Sequence, residues 1–214
     1  MNNILLITNC YLVRCALSTL INANDDMCMA AAVSDWKDAR DEIESESFDI
    51  VVLDLSMPRT NGLETLSALR YFQHQLSILI ISGEDEPEYA LNCLKLGCKG
   101  YLTRRCTENQ VTKAIYGICS GETCIMPVSF RRVVESRFRK NKVFDGLSLR
   151  EIQIFLKLAQ GQATELIAGE LNITPSTVSV FKSNIIRKMR FKNNVDIIHY
   201  ALDHHLVDVS DQIN

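Results

Sequence analysis

At 214 residues the chain allows one large domain or two modest ones, and domains of about 100–150 residues are commonest, so two are expected. Apolar residues make up 47% and charged residues 23%, with only 9 Gly and 4 Pro, which excludes a disordered, collagen-like or low-complexity chain. Charge divides the length: residues 1–120 carry a net of −6 and residues 121–214 a net of +3. An acidic half joined to a half with basic stripes suits a partner-sensing module attached to a nucleic-acid-binding one.

The first apolar run, Ile4 to Ile7, is too short for a secretory signal, and nothing reaches the roughly 18 apolar residues of a membrane span. A cytoplasmic protein with no membrane partner is expected. Its cysteines are Cys10, Cys15, Cys28, Cys93, Cys98, Cys106, Cys119 and Cys124, with no Cys-x-x-Cys pair among them. Three pairs are spaced five apart, which on a helix puts them on faces about 140° apart. They read as small buried hydrophobes in a reducing compartment, with a redox-sensing thiol as the alternative.

In chain order, the first half alternates strand and helix. Ile4–Ile7 is a short continuous apolar run of the kind a parallel strand buried on both faces requires. Leu12, Val13, Ala16, Leu17 and Leu20 then repeat at helical spacing. Met27–Val33 reads as a strand and 36–43 as a helix opened by Ser34-Asp35. Ile50–Leu53 is a strand ending on Asp54, followed by a Pro58/Gly62 turn and a helix over 62–72. Strands at 78–81 and 100–102 are each followed by a helix, over 87–96 and 108–119. Five such units predict an α/β fold, a doubly wound five-stranded parallel sheet whose site lies at the carboxyl ends of the strands. Thr8, Asn9, Asp54, Ser82, Thr103 and Arg104 fall there.

The segment Val-Val-Leu-Asp54-Leu-Ser-Met-Pro58-Arg-Thr-Asn-Gly62-Leu-Glu resembles the phospho-acceptor segment of response-regulator receiver domains. Gly97-Cys-Lys-Gly100-Tyr101-Leu is similar to the stretch leading into their last strand. The resemblance implies a flavodoxin-like receiver over residues 1–121, with Asp54 as phospho-acceptor, Ser82 as switch hydroxyl and Tyr101 as switch aromatic. Two positions depart from the family. Its pair of Mg²⁺-binding acids is replaced by Thr8 and Asn9, and its lysine after the last strand by Arg104.

Phosphoryl transfer to a carboxylate brings anionic groups together, so a metal and a cation must neutralise the developing charge. Without the two acids, Asp54 is the only carboxylate left for Mg²⁺. The expectation is therefore weak or absent Mg²⁺-dependent phosphorylation, no resident cofactor or metal, and an Asp54–Arg104 ion pair that holds one state. The alternative is a conventional regulator phosphorylated on Asp54 by a sensor kinase.

Residues 122–145 read as a basic, partly helical linker through Arg131, Arg132, Arg137, Arg139, Lys140 and Lys142. The rest, 146–214, predicts four helices. Ser148 and Glu151 form a capping box before an apolar stripe that ends at Gly161. Thr164 is expected to cap a short helix over 165–171, Asn172 to Pro175 to form a turn, and helices to span 175–189 and 195–205. Leu147 to Leu206 resembles the DNA-binding domain of the NarL/FixJ (LuxR-type) transcription regulators, through Leu-Ala-Gln-Gly161, Glu165-Leu-Ile-Ala168 and Leu171-Asn-Ile-Thr-Pro-Ser-Thr177-Val178.

That resemblance implies a helix-turn-helix whose second helix enters the major groove of double-stranded DNA. Ser179, Val180 and Ser183 match base-reading positions, while Thr177, Lys182, Arg187 and Lys188 suit phosphates. Val195, Ile198, Ala201 and Leu202 form a last apolar stripe that is either core or the face of a homodimer on DNA. The four histidines, His74, His199, His204 and His205, form no nucleophile or metal constellation, and no glycine-rich phosphate loop is present. A transcription regulator is the first reading, and a protein-binding adaptor is the reading from another class.

Overall fold

The computed structural model describes residues 1–56, 62–83, 87–122, 144, 146–204 and 206–207. The Pro58 turn, Cys124, His205 and all of the expected basic linker except Glu122 and Phe144 lie outside these residues. The chain divides into two compact units, Met1–Arg139 and Lys140–Asn214.

Among the described residues of the first unit, five strands alternate with five helices. They are β1 (Asn2–Ile7), α1 (Tyr11–Asn22), β2 (Met27–Val33), α2 (Trp36–Ser45), β3 (Ile50–Asp54), α3 (Gly62–Phe72), β4 (Ile78–Ser82), α4 (Pro87–Lys95), β5 (Gly100–Thr103) and α5 (Glu108–Cys119). The sheet is wholly parallel, in the order β2-β1-β3-β4-β5. The interior strands β3 and β4 are buried at every residue, whereas the edge strand β2 is mostly half-buried. This is the burial that continuous apolar runs such as Ile-Val-Val-Leu and Ile-Leu-Ile-Ile predict.

Because side chains alternate along a strand, Ile4, Leu6, Ile50, Val52, Leu79, Ile81 and Leu102 share one face. There they pack with Leu17 and Ile21 of α1 and Val111, Ala114, Ile115 and Ile118 of α5. Asp35 caps α2 by accepting from the Asp38 N–H, and a Thr107–Gln110 capping box starts α5.

The cysteines divide by depth. Cys93 and Cys98 are buried, Cys10, Cys28, Cys106 and Cys119 are half-buried, and Cys15 is exposed. The face-separation argument does not hold for Cys93 and Cys98. Helix α4 stops at Lys95, and the chain turns back so that the Cys98 N–H bonds the Cys93 carbonyl at 3.1 Å.

The second unit holds α6 (Leu149–Ala159), α7 (Thr164–Glu170), α8 (Pro175–Met189) and α9 (Asn194–Asp203). Helix α6 is buried from Glu151 to Ala159 and forms the centre on which the others pack. Its capping box is formed as expected, with Ser148 and Glu151 bonding reciprocally. Helix α8 begins with Thr174 as cap and Pro175 at its first position, where no backbone N–H is needed.

Two expectations are corrected here. Thr164 is the first residue of α7, whose cap is Ala163 with no side-chain bond. The last helix presents Ile197 and Ala201 to the core, both fully buried, so Ala201 is core and leaves the dimer face. Val195 is 55% exposed, and Ile198 and Leu202 are half-buried. The expected stripe mixed two faces because the helical phase is set by Ile197.

Candidate functional site

The carboxyl ends of β1, β3, β4 and β5 converge, and Asp54 lies fully buried at their centre. Its Oδ2 accepts from the Thr8 hydroxyl at 2.8 Å, and its Oδ1 from the Ser56 backbone N–H at 3.0 Å. Arg104 Nη2 lies 3.1 Å from Oδ1 and 3.0 Å from Oδ2. A single guanidinium nitrogen thus faces both oxygens, in place of the two-pronged fork that arginine most often offers a carboxylate. The backbone places it: the Arg104 N–H continues the ladder beyond β5 to the Ser82 carbonyl, at 2.8 Å.

Thr8, Asp54, Ser82 and Arg104 are therefore brought together, whereas Asn9 is exposed next to Thr8. Ser82 is buried, and Tyr101 is fully buried on β5. By strand alternation Tyr101 lies on the face opposite Leu102.

Two contributors escaped the sequence reading. Ser56 accepts from the Gly83 N–H at 2.6 Å and so links the loops after β3 and β4. Arg14 donates to the Thr8 carbonyl at 3.1 Å, the Ala32 carbonyl at 3.3 Å and the Ser34 hydroxyl at 3.0 Å, clamping the ends of β1 and β2. Its signal was available, because Arg14 is the only charged residue in α1.

This donor set fits a divalent cation poorly. Thr8 turns its hydroxyl proton toward Asp54, Asn9 carries no charge, and a guanidinium already faces both carboxylate oxygens. Among the described residues, no group of three or more His, Cys, Asp or Glu could hold a metal.

In the second unit, α8 presents Ser179, Val180, Ser183 and Arg187 exposed along one arc, with Thr177 and Lys182 half-buried. Val178 and Ile185 face the core. The Ser179 and Ser183 hydroxyls donate to the carbonyls of Pro175 and Ser179, at 3.1 and 3.0 Å, which leaves their oxygens outward as acceptors. Thr177 and Thr174 share a hydroxyl hydrogen bond of 2.8 Å at the start of the helix.

Lys188 is exposed, its side chain at 36%, and its Nζ lies 2.7 Å from Glu151 Oε2, so the residue expected at phosphates also has an ion-pair partner within the unit. Burial opposes the Glu151 charge, but the hydrogen bonds from Lys188 and Ser148 outweigh it and hold the carboxyl below the usual glutamate range.

A protein-family model described as the response regulator receiver domain matches residues 4–116, and one described as bacterial regulatory proteins, luxR family, matches residues 145–201. The nitrate/nitrite response regulator protein NarL of Escherichia coli K12 is 31% identical over 90% of this chain and 91% of its own. The transcriptional regulatory protein UhpA of Salmonella typhimurium is 28% identical over 95% and 99%. RcsB of Salmonella enterica serovar Typhimurium, solved bound to a promoter, superposes with a TM-score of 0.60 over 93% of this chain and 97% of that one. At 19% identity that likeness speaks for the fold.

Proposed function

Because the chain belongs to the LuxR family of bacterial regulatory proteins and carries a response-regulator receiver, we propose that its receiver is set by the Asp54–Arg104 pair, largely without Mg²⁺-dependent phosphorylation. Its activity is that of a DNA-binding response regulator in transcription regulation. The observation that supports the finer reading is the guanidinium nitrogen within 3.1 Å of both Asp54 oxygens, where a metal or an incoming phosphoryl group would have to approach.

Output runs through α8. Thr177, Lys182 and Arg187 serve the phosphates, and Ser179, Val180 and Ser183 meet base edges. With no Arg or Lys at the reading positions, discrimination of about 1–3 kcal/mol from a bidentate guanine contact is not available. The serine oxygens, the Val180 methyls against thymine and the shape of the duplex supply it instead. The protein acts as a homodimer on inverted half-sites, with the exposed Val195 and the half-buried Ile198 and Leu202 as the contact face. Its signalling partner is a sensor kinase or another regulator acting on the receiver.

The test is incubation with acetyl phosphate and Mg²⁺ followed by intact mass, alongside capture of fragmented genomic DNA by the untreated protein. We expect no stoichiometric phosphate adduct and sharp enrichment of a short inverted repeat. A full single adduct that vanishes in Asp54→Ala would return the protein to the conventional class. No retention of DNA at low salt would favour a protein-binding adaptor.

A further inference from the structure

Lys188 lies five residues beyond Ser183 and so about 140° round the helix from it. That places it outside the arc of Ser179, Val180, Ser183 and Arg187; the residue stays exposed, but its ammonium reaches the buried Glu151 of α6. The Glu151 oxygen it meets also accepts from the Ser148 N–H at 2.7 Å, so one atom anchors both the start of α6 and the last turn of α8. The Glu151 side chain is only 4% exposed, and an uncompensated carboxylate at that depth is strongly disfavoured.

The preceding residue does the same for the other helix. Arg150 donates to the Leu171 carbonyl, at the end of α7, at 2.8 Å. Lys157 of α6 pairs with Glu170 one residue earlier. Two consecutive residues of α6 thereby hold the carboxyl ends of both helices of the helix-turn-helix.

We propose that Glu151 is a positioning residue of the DNA interface, which fixes α8 against α6 and withholds the Lys188 charge from the phosphate backbone. The proposal rests on α8 being the helix that meets DNA. Its consequence is electrostatic and countable. Each phosphate neutralised by a basic side chain adds about 0.9 to the magnitude of the negative slope of log K against log salt, the quantity compared below. Lys182 and Arg187 contribute to that slope, and Lys188 does not.

The experiment measures that slope for the full chain on a mixed-sequence duplex, by fluorescence anisotropy. Lys182→Ala should lower the slope by about 0.9. Glu151→Gln keeps an oxygen to accept from Ser148 but releases Lys188, and should raise the slope by about the same amount. The double variant Glu151→Gln/Lys188→Met, with no buried charge left unpaired, should return to the parent slope. A purely structural Glu151 would lower the melting temperature and leave the slope of Glu151→Gln unmoved, which overturns the proposal. A double variant falling below the parent slope also overturns it, because Lys188 would then already contact phosphate. If Lys182→Ala has no effect, the assignment of α8 to DNA fails, and the proposal falls with it.

Discussion

Replacing Arg104 by Met keeps most of the side-chain length and deletes the charge that faces Asp54. Two unit charges about 3 Å apart attract by about 5 kcal/mol at an effective dielectric constant near 20. The Arg104 side chain is 40% exposed, however, so water screens it. Breaking a fully buried pair costs about 3–5 kcal/mol and a surface pair is worth about 0–1 kcal/mol, so a loss near 2 kcal/mol is expected. Thr8 and Ser56 continue to hold the carboxylate, which keeps the loss from the upper limit. Asp54→Asn should cost less, because the cation it leaves behind can turn to solvent. The chain has one tryptophan, Trp36, at the start of α2, so its fluorescence in a urea titration reports the receiver alone. In a double-mutant cycle Asp54→Asn and Arg104→Met should couple by about 1–2 kcal/mol. Additivity to within about 0.5 kcal/mol would refute the reasoning, since sites that do not interact add to that tolerance.

Ser183→Ala should change which duplexes are preferred while leaving the salt slope alone, as read by selection from a randomised library; an unchanged preference removes Ser183 from readout. Among the described cysteines, alkylation of the native protein should label Cys15 first and Cys93 and Cys98 only on unfolding, by peptide mass; early labelling of Cys93 would contradict its burial. Glu151 titrates below the usual glutamate value of about 4.3. Its contribution to stability is present above that value and lost as pH falls through the depressed one. Thermal melts followed by helical circular dichroism should show the second unit weakening below about pH 4.3, and Glu151→Gln should flatten that dependence. An identical acid dependence in the variant would exclude Glu151 as its source.

Elements whose signals are local were legible. The strand at 27–33 and the helices at 62–72, 108–119 and 175–189 have the boundaries that apolar runs, caps and Pro175 indicate. Helix α7 shifted by one residue because its cap, Ala163, makes no side-chain bond that a sequence could advertise. At the receiver site Thr8, Asp54, Ser82 and Arg104 were legible because strand ends gather them. Arg14 and Ser56 were missed because most of their partners are backbone groups in or just beyond other strands, which no residue type announces. Glu151 and Lys188 stand 37 positions apart. Each had a sufficient local explanation, as a cap and as a phosphate contact, and only the packing of α8 on α6 shows that they meet.

Thr8 does more than replace an acid. Its hydroxyl oxygen accepts from the Cys10 N–H at 3.1 Å while donating its proton to Asp54. Cys10 is the cap residue just before α1, and its own side chain makes no capping bond. A relay of two hydrogen bonds therefore runs from the Asp54 carboxylate to the entry of α1, and each link polarises the next. Tyr11 and Leu12, each 75% exposed, follow directly. Whatever neutralises Asp54 also weakens the relay at its source, so the chemical state of a fully buried carboxylate is written at the first turn of a surface helix.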